Sequence, residues 1–293
     1  MSSDFKVTLL GTGYPRPIME RFGPSTLVEA GGLKLLFDCG RGTIQRTHQI
    51  DNDATSFDKL FLTHLHSDHT TGIPDLWITG NIMGRKENPL KIWGPQGTTE
   101  MISHLKKAFT IDLKVRNESR DYYGTSRYTE GMQIDTKEID EGFVYEENKV
   151  KVIPFRVNHH DVYSEEPSLG YRIEYNDKSV VLSGDTCFCE NLIKYSMGVD
   201  LLIHEVAAVP EGETVSILRR GALNHHTLPE ESGKVFSRVK PGLAVFYHVI
   251  QFQDVSLEEI LARTRELYDG PVIVGEDLMS FDISERGVTQ VNP

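Results

Sequence analysis

The chain is short of cysteine, short of positive charge and empty of long apolar runs, and each shortage removes a class of protein. Only Cys39, Cys187 and Cys189 occur in 293 residues. Three cysteines are too few, and odd in number, for a disulfide framework, which points to a reducing compartment. Cys187 and Cys189 stand one residue apart, which is not the spacing of a structural zinc knuckle. No stretch approaches the roughly 20 apolar residues of a membrane span. The first six residues lack the basic-then-apolar pattern of a secretory signal. A cytoplasmic protein with no membrane partner is expected. Lys and Arg number 31 against 43 Asp and Glu, a net charge of -12 that argues against a surface built for indiscriminate nucleic-acid binding but leaves room for a local basic patch. No internal repeat or linker is visible. Gly11-Thr12-Gly13 lacks the third glycine and the following helix of a dinucleotide fingerprint, and Pro15 and Pro17 intervene.

What is present is organised around Phe61-Leu62-Thr63-His64-Leu65-His66-Ser67-Asp68-His69. Four metal-capable side chains fall within six residues, directly after an apolar run, 57–63, that reads as a buried strand. His64 and His66 are two apart, so in extended backbone both imidazoles project to one side. Asp68 and His69 follow in a polar turn that can bend them back. Neutral imidazole and carboxylate are the donors that zinc takes in catalytic sites.

Other strands end the same way. The run 150–157 leads to His159, 179–182 to Asp185, 200–204 to Glu205 and 243–247 to His248. Further strands are expected at 5–10, at 26–29 and 33–37 as a hairpin around Gly31-Gly32, at 91–93, at 169–175, and finally at 272–274. Helices are expected at 42–48, 72–80, 98–109, 192–197 and 229–239. A last helix runs from Ser256 to about Tyr268, with Glu259 completing a capping box. Residues 110–148, with Arg116, Arg120 and Arg127, read as irregular β structure and loops. Arg16 and Arg21 are either solvated loop charges or anion contacts at a site rim. His48 and His104 fall on helices away from these motifs and read as structural or surface groups. Grouped strands followed by helices in each half suggest two packed sheets with helices outside.

Leu10-Gly11-Thr12-Gly13, Phe37-Asp38-Cys39-Gly40, the cluster 64–69, Gly170-Tyr171-Arg172, Ser183-Gly184-Asp185-Thr186, His204-Glu205 and His226-Thr227 together resemble the metallo-β-lactamase superfamily. Within it, they are similar to the ribonuclease Z and arylsulfatase-like branch. The resemblance spans nearly the whole chain. It implies an α+β fold, a four-layer αββα sandwich forming a single domain over 1–293. It also implies two divalent metal ions, zinc by default, with manganese or iron as alternatives. His64, His66 and His159 would hold one ion; Asp68, His69 and His248 would hold the other, and Asp185 would bridge them with one oxygen facing each. His160 is the alternative to His159. Two cations roughly 3.5–4 Å apart ready a water for attack. Asp68 would orient that water or take its proton. His226, held by Glu205, would donate to the leaving oxygen. His225 is a rim contact or simply exposed.

The tRNA-processing relatives usually carry a flexible arm, and between Tyr171 and Asp185 there is room only for a hairpin. The loop 21–25, the end segment 275–278 and the acidic charge look more like small phosphodiesterase and arylsulfatase-like relatives. A hydrolase of small phosphodiesters or related esters is therefore the leading expectation. A tRNA 3′-processing endoribonuclease or an arylsulfatase is the alternative. A non-hydrolytic metal-dependent module ranks third, because the cluster keeps its histidines and no flavin-type domain follows. A homodimer is usual for such relatives.

Overall fold

In the computed structural model, residues 4–85, 88–123, 132–159, 167–211 and 223–291 are described. Arg127, His160 and Asp161 lie outside them, as does the side chain of Arg120. The first sheet carries β1 (Phe5–Gly11), β2 (Ser25–Ala30), β3 (Leu33–Phe37), β4 (Lys59–Phe61), β5 (Leu90–Gly94) and β6 (Ile134–Glu138). The second carries β7 (Tyr145–Glu147), β8 (Val150–Val157), β9 (Ser168–Tyr175), β10 (Lys178–Leu182), β11 (Leu201–Ala208), β12 (Leu243–Gln251) and β13 (Val272–Val274). β14 (Ser280–Ser284) and β15 (Gly287–Val291) return to the first sheet, giving the orders β15-β14-β1-β2-β3-β4-β5-β6 and β13-β12-β11-β10-β9-β8-β7.

The central strands, such as β11 and β12, are buried on both faces because both faces are covered. Successive side chains point to opposite sides. Leu35 and Phe37 enter the core between the sheets, whereas Leu36 faces the helices. Likewise Leu201 and Ile203 face inward, and Leu202 faces the opposite helical layer. Outside the first sheet lie α1 (Thr43–Gln49), α2 (Ser67–Thr70), α3 (Ile73–Met83), α4 (Thr98–Ala108) and α5 (Thr110–Tyr123). Outside the second lie α6 (Glu190–Ser196), α7 (Pro229–Val239) and α8 (Leu257–Arg265). This is the expected four-layer αββα arrangement. Gly31 and Gly32 have φ of 55° and 75°, and Asn176 and Asp177 have 48° and 62°, the left-handed pairs of tight hairpin turns. Among the described residues no helix is long and apolar enough to cross a membrane.

Several expectations change. Residues 110–123 form a helix, α5, not irregular β structure. Leu113 reaches the core beside Phe109, Asp112 pairs with Arg116 at 2.7 Å, and the polarity of the remaining face hides the period. Strand 272–274 is not the last, since the β14–β15 hairpin extends the first sheet at its edge. Ser256 accepts from Glu259 N at 3.1 Å, but the Glu259 carboxylate takes Glu211 N instead, so the capping box is only half made. β12 does not stop before His248 but runs to Gln251.

What positions the site is strand direction. β10, β11 and β12 are mutually parallel, and β8 runs with them because β9 is antiparallel to both β8 and β10. Their carboxyl ends therefore share one rim, the usual place for a site beside parallel strands.

Candidate metal centre

The strand β4 delivers Thr63 and then the cluster. Asp38, at φ 58°, anchors the turn. Its Oδ1 accepts from Thr63 N at 2.8 Å, and its Oδ2 lies 2.8 Å from His69 Nδ1. His69 Nδ1–H donates there, so Nε2 is the nitrogen turned to the centre. α2 is a single turn, and it folds Asp68 and His69 back toward His64. Gly184, at φ 61° and with Leu169 O only 2.5 Å from where a Cβ would sit, makes the turn that aims Asp185 inward. β11 and β12 lose register between Glu205 and Val206: Glu205 pairs with Tyr247 and Val206 with Val249. His248 is the extra residue of that β-bulge, at φ 45°.

These elements bring all seven expected ligands together. Asp185 Oδ2 lies 3.8 Å from His64 Nε2, 3.3 Å from His69 Nε2, 3.9 Å from His159 Nε2 and 3.2 Å from His248 Nε2. One oxygen, rather than two, sits at the middle of the cage; Oδ1 has no hydrogen-bond partner among the described residues. Asp68 Oδ2 is 3.3 Å from His248 Nε2 and 3.6 Å from His69 Nε2. His66 Nδ1 is 3.2 Å from His159 Nε2. Donor atoms of His64, His66 and His159, of His64, His69 and Asp185, and of Asp68, His69 and His248 each lie within 4.8 Å of one another. The buried His64 Nε2 and His69 Nε2 lack hydrogen-bond partners among the described residues. Buried lone pairs facing one another are costly unless a cation lies between them. The donor set therefore fits divalent metal.

The electrostatics agree. Burial pushes His64 far below its usual pKa, with the neighbouring His69 adding to it, and burial pulls His159 down to about 4. Both imidazoles are thus neutral and available as ligands near pH 7. Burial opposes charge on His69 too, but Asp185 and Asp38 outweigh it and raise its pKa well above normal. A cation taking His69 Nε2 must displace that proton. Burial disfavours the Asp185 carboxylate, yet His248 and His69 hold it ionised.

His226 and Glu205 stand beside the cage. Glu205 is fully buried, and its Oε1 accepts from His226 Nδ1 at 3.0 Å, Thr186 N at 3.0 Å and Thr227 N at 3.2 Å. Burial opposes charge on His226, but Glu205 raises its pKa to about 9. The ring sits 5.0 Å from that of His159 and 5.5 Å from that of His248. A cleft of about 150 Å³, lined by Pro15, His66, Asp68, His159, Asp185, His225, His226 and His248, opens over the cage. His225 lines this cleft, and its carbonyl accepts from His159 Nδ1 at 2.8 Å. His48 and His104 are exposed on α1 and α4.

Sequence reasoning missed two orienting groups, Asp38 and the His225 carbonyl. The signal for Asp38 was present, an aspartate at a strand end; a main-chain carbonyl leaves no trace in residue type. Arg21 belongs to neither of its two readings. Its guanidinium is buried, donating to Thr12 Oγ1 at 2.7 Å and Gly275 O at 2.6 Å.

A family profile described as a beta-lactamase superfamily domain matches residues 34–249. The ribonuclease Z of Mycolicibacterium gilvum is 35% identical over 279 residues, covering 93% of this chain and 94% of that protein. The ribonuclease Z of Mycobacterium bovis (strain BCG / Pasteur 1173P2) is 32% identical over 292 residues, covering 96% and 99%. Among solved structures, human tRNase Z, short form, matches with a TM-score of 0.70 at 22% identity, covering 95% of this chain and 99% of that one, a likeness of fold. Profile, relatives and fold agree that this chain belongs to the beta-lactamase superfamily, in its ribonuclease Z-like branch, and is a metal-dependent hydrolase acting on ester bonds.

Proposed function

We propose that the chain is an endoribonuclease that removes 3′ extensions from precursor tRNA. The observation that carries this reading is end-to-end likeness to proteins named ribonuclease Z, at 31–35% identity over 93–96% of the chain. That likeness reverses the order expected from sequence, which placed small phosphodiesters ahead of tRNA. In this reading His64, His66 and His159 hold one divalent cation, Asp68, His69 and His248 the other, and Asp185 lies between them. Zinc suits the imidazole and carboxylate donors, and manganese or iron are alternatives. When bound, such a pair supplies an activated water and neutralises charge growing on the phosphate oxygens.

The chain's own residues do the rest. Asp68 orients the attacking water and accepts its proton. As the new P–O bond forms and the bond to the leaving oxygen breaks, protonated His226 gives its Nε2 proton to that oxygen. Glu205 keeps His226 charged and fixes the tautomer through Nδ1, at 3.0 Å. Asp38 fixes the ring of His69 in a different way, accepting from Nδ1 so that Nε2 is the nitrogen turned to the cation.

A second reading, hydrolysis of small phosphodiesters, is favoured by one observation: the β9–β10 hairpin fills the stretch after Tyr171 and leaves no arm there. The deciding experiment offers the purified, metal-loaded protein a precursor tRNA and bis(p-nitrophenyl) phosphate side by side. Cleavage at the discriminator base, with kcat/KM at least 100-fold above that for the small ester, is expected. Turnover of the small ester alone would replace the first reading by the second. A homodimer belongs to the same proposal, checked by sedimentation velocity.

A further inference from the structure

Asp277 stands on the segment that crosses from β13 in one sheet to β14 in the other, and its side chain is 3% exposed. Oδ1 accepts from Thr12 N and Thr12 Oγ1, both at 2.8 Å. Oδ2 accepts from Phe22 N at 2.8 Å and from Arg46 Nε at 3.0 Å, with a second guanidinium nitrogen also at 3.0 Å. The Arg46 guanidinium in turn lies over the Phe22 ring at 4.1 Å. One buried carboxylate thus takes both ends of the loop 13–21, whose neck is closed by Gly13 N donating to Phe22 O at 2.8 Å.

That loop touches the site in two ways. Pro15 walls the cleft. Thr12 O accepts from Val249 N at 3.1 Å, on the residue after His248. His248 is the bulge residue and holds a φ of 45°, which a side-chain-bearing residue adopts only when its surroundings over-determine it. The Thr12–Val249 bond is such a determinant, and Asp277 fixes Thr12 through two donors. Neither Asp277 nor Thr12 reaches the cage itself.

We propose that Asp277 is a positioning residue of the metal centre, holding His248 in its bulge through Thr12 and holding the loop that walls the cleft through Thr12 and Phe22. This rests on the metal reading of the site, but not on the choice of RNA as substrate. Removing the charge should loosen the ligand group Asp68, His69 and His248 and leave His64, His66 and His159 in place. The two ion equivalents should then separate in affinity.

The test is a zinc titration of the metal-free chain against a chromophoric chelator. Wild type should take two equivalents. Asp277→Asn should bind the second at least tenfold more weakly and the first as wild type does. The control is Thr8→Ala, which removes the Thr8 Oγ1 to Ser280 Oγ bond of 2.7 Å from the neighbouring β1–β14 pairing, and it should keep both equivalents. A purely structural staple predicts otherwise: the two variants would lose zinc alike at matched loss of thermal midpoint, and that result overturns the proposal. So does wild-type affinity for both equivalents in Asp277→Asn. If that variant does not fold, Arg46→Gln removes the guanidinium and keeps the carboxylate. A smaller loss confined to the second equivalent supports the proposal, and no loss overturns it. A wild-type chain that takes up no zinc removes the metal reading and this proposal together, whereas failure to cut tRNA leaves the proposal standing.

Discussion

His64, His66, Asp68 and His69 come from one six-residue stretch at the end of β4, whereas His159, Asp185 and His248 come from three strands of the opposite sheet. The first group is held by short-range means: one turn of helix, and Asp38 grasping both Thr63 N and His69 Nδ1 at 2.8 Å. The second group has no common backbone. Its geometry depends on sheet pairing, on the Gly184 turn and on the bulge at His248. Damage to the first group should stay local. Damage to the second should spread, because anything that moves the sheets moves a ligand.

The largest expected effect tests where the two groups meet. Asp185→Asn puts an amide next to four imidazoles. Metal content should fall below one ion per chain, and turnover should fall by roughly 10³ or more, the several kcal/mol assigned to metal-ion catalysis at 1.36 kcal/mol per decade. Two retained ions with turnover within tenfold of wild type would mean that Asp185 is not the junction. The next effect tests how locally the first group is held. Asp38→Ala frees the His69 ring and should weaken metal affinity by about 10–100-fold, the usual cost of losing an outer partner of a ligand. At saturating metal, turnover should recover to within a few-fold. Affinity unchanged in a chelator competition would show that the loop alone suffices.

The smallest effect concerns protonation. Against burial, Glu205 holds the His226 pKa up at about 9, so the acid form persists through neutral pH and is lost as pH rises past 9. In Glu205→Gln the raising carboxylate is gone while burial remains. The alkaline limb of the kcat profile should therefore move to lower pH, toward or below the ordinary histidine value of about 6.5. An alkaline limb that does not move would exclude His226 as the proton donor.

Legibility in the sequence follows the same division. The strands at 33–37 and 150–157 could be read because their apolar residues are dense and buried: Leu33, Leu35, Leu36 and Phe37 in one, Val150, Val152, Phe155 and Val157 in the other. α5 could not, since Asp112, Lys114 and Arg116 hide a helix whose Leu113 packs against the core. β15 was lost for a similar reason: its Thr289 and Gln290 are exposed, and its partner is fixed only by the chain's return to β1 through β14. Arg21 read as a loop charge or a rim contact and proved to be a buried tie to Gly275 O, a contact 254 residues away in sequence.

The sequence by itself determined the donor chemistry. Imidazoles and carboxylates stand at strand ends, a Glu–His pair is available for proton transfer, and the apolar runs demand cover on both faces. Those properties are written in residue type and in the local period of the backbone. Tertiary structure alone decided that a single oxygen of Asp185 lies at the middle of four imidazoles, that His248 sits on a bulge, and that Asp38 and Asp277 brace the cage from outside. Such outcomes depend on how two sheets pack and where a ladder slips by one residue, and no stretch of chain read in isolation carries that geometry.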